Sequence, residues 1–129
     1  MSQAAAITIN DGLATPVART FSPESVTPAL SVFSERSAGI ASLFKKLKLT
    51  NTFASGKSTV NRATFKVEYP VAQVVGGVTS VAYILRANLE LILPDQCTDA
   101  DRKDLYAYLK NGLAHASITG VLRDLDPQY

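Results

Sequence analysis

NRATFKVEYPVAQVVGGVTSVAYILRANLELILP, from Asn61 to Pro94, is the stretch that decides the fold. Within it, Thr64-Phe65-Lys66-Val67-Glu68-Tyr69 alternates polar and apolar residues, and so does Arg86-Ala87-Asn88-Leu89-Glu90-Leu91. Just upstream, Lys46-Leu47-Lys48-Leu49-Thr50 follows the same rhythm. Successive side chains of a strand point to opposite faces, so each segment has one apolar and one polar side. Paired in one antiparallel sheet, Leu47, Leu49, Phe65, Val67, Ala87, Leu89 and Leu91 form a buried face. Lys46, Lys48, Thr50, Thr64, Lys66, Glu68, Arg86, Asn88 and Glu90 form the other, which is polar, flat and net basic. Such a face suits binding rather than packing. Between two of these strands, Val71 to Val81 carries Gly76-Gly77 among valines and reads as a hairpin or a mobile loop.

Outward toward the N-terminus, Ala4 to Ile9, the turn residues Asn10-Asp11-Gly12 and Leu13 onward read as a hairpin. Pro16, Pro23 and Pro28 confine the next stretch to edge strands or irregular connections, because proline donates nothing to a ladder. Ala29 to Ser34 is a short strand candidate and Glu35 to Gly39 a turn. Asn51 to Asn61, polar with Gly56, reads as a loop.

Toward the C-terminus the period changes. Thr98 followed by Asp101 predicts an N-cap with an acid in the first helical turn. Leu105, Tyr108, Leu109 and Leu113 recur at helical spacing. Gly112 and Ala114-His115-Ala116-Ser117 mark a break. Ile118, Val121, Leu122 and Leu125 repeat the spacing over a shorter helix that Pro127 ends. A run of strands followed by two helices is an α+β arrangement, with strands within residues 1–94 and helices within 98–126. One sheet with an apolar face and helices with an apolar stripe need more cover than one short chain supplies. Exchange of helices across a dimer is one solution.

The chain has 129 residues, enough for a single domain, and 47% of them are apolar. A core of that size gains from association. No apolar run is long enough to span a bilayer, and the N-terminus lacks the basic and apolar regions of a signal peptide. Net charge is only +2, but it is unevenly placed. From Arg36 to Arg86 eight basic residues accompany a single acid, Glu68, whereas from Asp95 onward six aspartates face four basic residues. A positive region points to a polyanion, and nucleic acid is the commonest one. An ordinary solvated lysine-rich surface has the same composition.

The remaining features carry less chemistry. Glu68 and Glu90 on neighbouring strands have the look of a glycosidase carboxylate pair, but they more simply temper the basic face by bonding Lys66 or Arg86. Cys97 is the only cysteine. It forms no internal disulfide and fits no metal-ligand spacing, which suits a reducing, cytoplasmic origin. His115, the only histidine, has no sequence partner and reads as a surface residue. No P-loop or dinucleotide spacing follows Gly76-Gly77. Nothing forms a nucleophile, base and orienter set, so no enzyme, cofactor or metal is expected.

The segment from Asn61 to Pro94 resembles the coat proteins of levivirus-type RNA bacteriophages. The matching elements are the Asn-Arg opening, the Lys-Val-Glu-x-Pro strand end, the VGGV loop and the Asn-x-Glu-Leu-x-x-Pro strand end. The tail TDADRKDLYAYLKNGLAHASITGVLRDLDPQY is similar to the two closing helices of the family. The resemblance implies a single coat-protein domain over 1–129: an N-terminal hairpin, a five-stranded antiparallel sheet and two helices. It also implies a homodimer with continuous sheets and exchanged helices. The helix face Leu105, Tyr108, Leu109, Leu113, Ile118, Val121, Leu122 and Leu125 would then cover the partner. Val74, Val75, Gly76, Gly77 and Val78 would contact other subunits of an icosahedral shell in the virion, assembled in the bacterial cytoplasm. The polar face, Lys46, Lys48, Thr50, Thr64, Lys66, Glu68, Arg86, Asn88 and Glu90, would meet single-stranded RNA. A dimer would also grip an RNA hairpin and repress translation. Family members place a base-stacking tyrosine two positions before the asparagine of Asn-x-Glu. Here that position is Arg86, whose guanidinium stacks on bases or pairs with phosphate. The alternative function is a dimeric RNA-binding repressor that never assembles.

Overall fold

The computed structural model describes residues 3–129. They form six strands, β1 (Ile7–Asn10), β2 (Ala18–Val26), β3 (Leu30–Glu35), β4 (Lys45–Thr52), β5 (Val60–Val75) and β6 (Val78–Pro94), followed by two helices, α1 (Asp99–Ala114) and α2 (Ala116–Asp124). The strands make one sheet in the order β1-β2-β3-β4-β5-β6, so each pairs with its neighbour in the chain. The chain divides into two compact units, Met1–Ile92 and Leu93–Tyr129.

The α+β expectation holds, with one correction. A hairpin plus a five-stranded sheet requires seven strands, and the sheet has six because β2 serves both. Its first half pairs with β1, Ile7 opposite Phe21 through Asn10 opposite Ala18, and its second half with β3. Pro23 and Ser25 bracket a bulge in that second half. The hairpin turn is fixed by Asp11. Its carboxylate accepts from the Val17 amide at 3.0 Å, the Leu13 amide at 3.3 Å and Arg19 Nε at 3.1 Å.

The core lies on the face the alternation assigned. Phe33 stands opposite Leu47, and Leu47 opposite Val67. Phe21, Phe33 and Leu47 are buried, with Ile7, Phe65 and Val67 packed against them. Leu89 and Leu91 are half-buried, but Leu49 and Ala87 are exposed, contrary to the expected buried face. The reason is that the core is centred on β2 to β4 and thins toward β6. A cavity of about 610 Å³ opens on this face, lined by Leu13, Phe21, Leu47, Phe65, Val67 and Tyr69 among others.

In the second unit, Thr98 and Asp101 form a reciprocal capping box that opens α1. The break falls at His115, whose ring nitrogen accepts from the Ser117 amide and caps α2. Gly112 stays inside α1, where an added Cβ would meet Ile118 Cδ1 at 3.5 Å, so it lies beside α2 rather than at the break itself. Helix α2 ends before Pro127, at Leu125 in the left-handed conformation with φ 54°. Neither helix contains a buried residue.

Candidate nucleic-acid interface

The β4–β5 register fixes which side chains share the polar face. Lys46 stands opposite Glu68, Lys48 opposite Lys66, Thr50 opposite Thr64 and Thr52 opposite Arg62. The Thr50 and Thr64 hydroxyls bond to each other across the ladder. On the other side of β4, Ser34, Val32 and Leu30 stand opposite Lys46, Lys48 and Thr50. The face therefore carries an apolar strip beside its polar centre.

Three carboxylates each hold one cation. Glu24 Oε1 lies 3.4 Å from Lys46 Nζ, Glu68 Oε1 lies 2.9 Å from Lys48 Nζ, and Glu90 Oε1 lies 2.7 Å from Arg62 Nη1. The Lys48 hydrogen bond holds the Glu68 carboxyl below its ordinary range, with Coulombic support from Lys48, Arg86 and Lys46. Glu68 is thus an anion at neutral pH and lies within the field of Arg86. Among the described residues, Lys66 and Arg86 make no ion pair. Both are exposed, as is Asn88.

The expected set Lys46, Lys48, Thr50, Thr64, Lys66 and Glu68 is brought together on adjacent strands. Glu90 and, through Glu68, Arg86 are tied to the same surface. The acids do temper the basic face, but through Lys48 and Arg62 rather than Lys66 or Arg86. Four residues of the face escaped the sequence reading. Arg62 was accessible to it, because the period of two runs back from Thr64. Leu30 and Val32 lie on a recognised strand whose face is set only by register. Glu24 sits in the β2 bulge beside Pro23, and its reach to Lys46 depends on register that the sequence does not mark.

Val74, Val75, Gly76, Gly77 and Val78 form the tip of the β5–β6 hairpin. Gly76 and Gly77 both have positive φ, at 59° and 78°. That is a two-residue type I′ turn, which matches the twist of the flanking strands. The tip is a tight hairpin, and its three valines are exposed.

The chain is thus a single meandering sheet with one polar face, followed in sequence by two helices. The virus-like particle of bacteriophage ESE058 has the same fold, with a TM-score of 0.90 at 24% identity over 99% of this chain and 100% of that one. The coat protein of bacteriophage EMS014 matches at 26% identity and TM-score 0.79, covering 89% of this chain and 76% of that one. The capsid protein of bacteriophage GA matches with a TM-score of 0.76 at 18% identity, over 97% of each chain. A search of curated proteins gives no match. The levivirus coat protein family model matches residues 2–129, and the chain belongs to that family. Its members are structural viral proteins, not enzymes.

Proposed function

We propose that this chain, acting as one coat-protein domain, dimerises, assembles into an icosahedral shell and packages phage RNA against its polar sheet face. Its place would be the virion, with assembly in the cytoplasm of the bacterial host. The observation that carries the reading is unfilled apolar surface in each of the two units. The sheet leaves the cavity over Leu47, Phe65 and Val67 open. The helices leave Leu105, Tyr108, Leu113, Ile118, Val121, Leu122 and Leu125 exposed. Monomeric proteins rarely present so much contiguous apolar surface. In the proposed dimer the helices of one subunit cover the sheet of the other, and the β6 edges join the two sheets. Leu125 supports this arrangement. A left-handed leucine is strained by about 1–2 kcal/mol, yet the residue is 84% exposed in the single chain, which leaves it free to meet a partner.

The similar structures named above include virus-like particles, and the same assembly is proposed here, with the hairpin tips Val74 to Val78 meeting neighbouring subunits. A dimer would also bind an RNA hairpin and repress translation, with Arg86 and Asn88 contacting it. Size-exclusion chromatography with electron microscopy tests the proposal. Large particles carrying RNA are expected. Dimers without nucleic acid at every salt concentration would overturn it, and dimers that bind RNA without forming particles would make the protein a non-assembling repressor.

A further inference from the structure

The polar face is basic by composition, but its charge is not evenly available. Lys46, Lys48 and Arg62 each lie against a carboxylate, whereas Lys66 and Arg86 make no ion pair among the described residues. The arrangement has local causes. Lys48 and Lys66 stand opposite each other in the ladder, where like charges repel. Glu68, two residues along β5 from Lys66, takes up Lys48 and leaves Lys66 to solvent. The β2 bulge at Glu24 delivers a carboxylate past β3 to Lys46. Arg62 is held by Glu90 from β6.

Resting on the RNA-binding reading above, we propose that Glu24, Glu68 and Glu90 act as built-in competitors of phosphate, leaving Lys66 and Arg86 as the cations that hold the RNA backbone. The reason is charge balance. Phosphate gains affinity for a protein mainly by releasing condensed counterions, which requires net positive charge at the contact. A lysine with a carboxylate about 3 Å away is neutral over a Debye length of about 10 Å, so a phosphate placed there releases little. The strand is therefore drawn to the centre of the face and excluded from the three paired positions. The carboxylates thus choose the path of the RNA without touching it.

The test is binding of the purified protein to a short oligouridylate at several salt concentrations, with circular dichroism confirming the fold of each variant. Each single-strand phosphate contact contributes a slope of about 0.7 in log affinity against log salt. Lys66→Ala and Arg86→Ala each lower the slope by about that amount. Removing a whole pair, Arg62→Met with Glu90→Gln, leaves affinity and slope unchanged. Glu90→Gln alone, which frees Arg62, raises the slope by about 0.7. A pair deletion that costs as much as Lys66→Ala overturns the partition while leaving RNA binding intact, and so does a Glu90→Gln variant with an unaltered slope. Unchanged binding in every variant would instead reject the sheet face as the RNA surface.

Discussion

The Gln73 side-chain amide donates to the Ser80 hydroxyl at 3.3 Å across the tip of the β5–β6 hairpin. Nearer the base of the same hairpin, Arg62 Nη1 donates to Glu90 Oε1 at 2.7 Å. Side chains thus tie β5 to β6 both near the tip and near the base.

The hairpin tip depends on its glycines. Gly77→Val places a β-branched residue at positive φ and destabilises the turn by roughly 1–2 kcal/mol. Gly76→Asn is tolerated, because asparagine adopts the left-handed conformation readily. Urea denaturation of the two variants side by side measures the difference.

Leu47 is 3% exposed at the centre of the core. Leu47→Ala leaves a cavity between Phe33 and Val67 and costs about 2–5 kcal/mol. The urea midpoint falls accordingly, and a loss below 1 kcal/mol would show that the face closes over the gap.

Thr98 accepts from the Asp101 amide at 3.2 Å, and Asp101 accepts from the Thr98 amide at 3.0 Å. Thr98→Ala removes one half of this box and destabilises α1 by about 1 kcal/mol. Thr98→Ser restores most of it. Thermal melts followed at helical wavelengths distinguish the two.

Glu35 is a buried carboxylate on the core side of β3, beside Lys45 at 3.6 Å. Hydrogen bonding from Ser37, with a smaller contribution from Lys45, lowers its pKa from the ordinary 4.5. A carboxylate depressed in the folded state contributes stability above its unfolded pKa, and the contribution is lost as pH falls through the folded value. Glu35→Gln therefore lowers stability at neutral pH and flattens its decline below 4.5. Denaturation at a series of pH values reads the slope directly. An unchanged acid limb would remove Glu35 from the account.

The helix stripe should separate folding from association. Leu122→Asp sets a charge on a side chain that is 62% exposed in the single chain, so the chain folds but the dimer and its particles fail. Leu109→Asp, on the stripe of α1 and half-buried in the single chain, also blocks the dimer and its particles. Leu125→Gly relieves the left-handed strain yet weakens the dimer. Particle yield and dimer dissociation, measured together, test all three. Assembled Leu122→Asp particles would show that the stripe does not dock.

Much of this was legible in the chain. The alternation of Lys46 to Thr50, Thr64 to Tyr69 and Arg86 to Leu91 assigns both faces, because a strand's period is local. Thr98 with Asp101 announces α1 for the same reason. Register is not local, and what depended on it was missed: the double use of β2, the placement of Leu30 and Val32, and the reach of Glu24 across β3. Leu49 and Ala87 have the pattern of core residues but lie outside the cluster around Phe33, since pattern assigns a face without saying how far the core extends along it.

The order of the sheet has a kinetic consequence. Every strand lies beside its predecessor, so no ladder must wait for a distant segment to arrive. Folding rates fall as contacts become more remote in sequence, and here each pairing closes a loop between consecutive strands. The sheet can thus grow strand by strand as the chain leaves the ribosome, with few unpaired edges exposed at any time. A capsid protein of this family is shielded in this way from the aggregation that slow, long-range pairing invites.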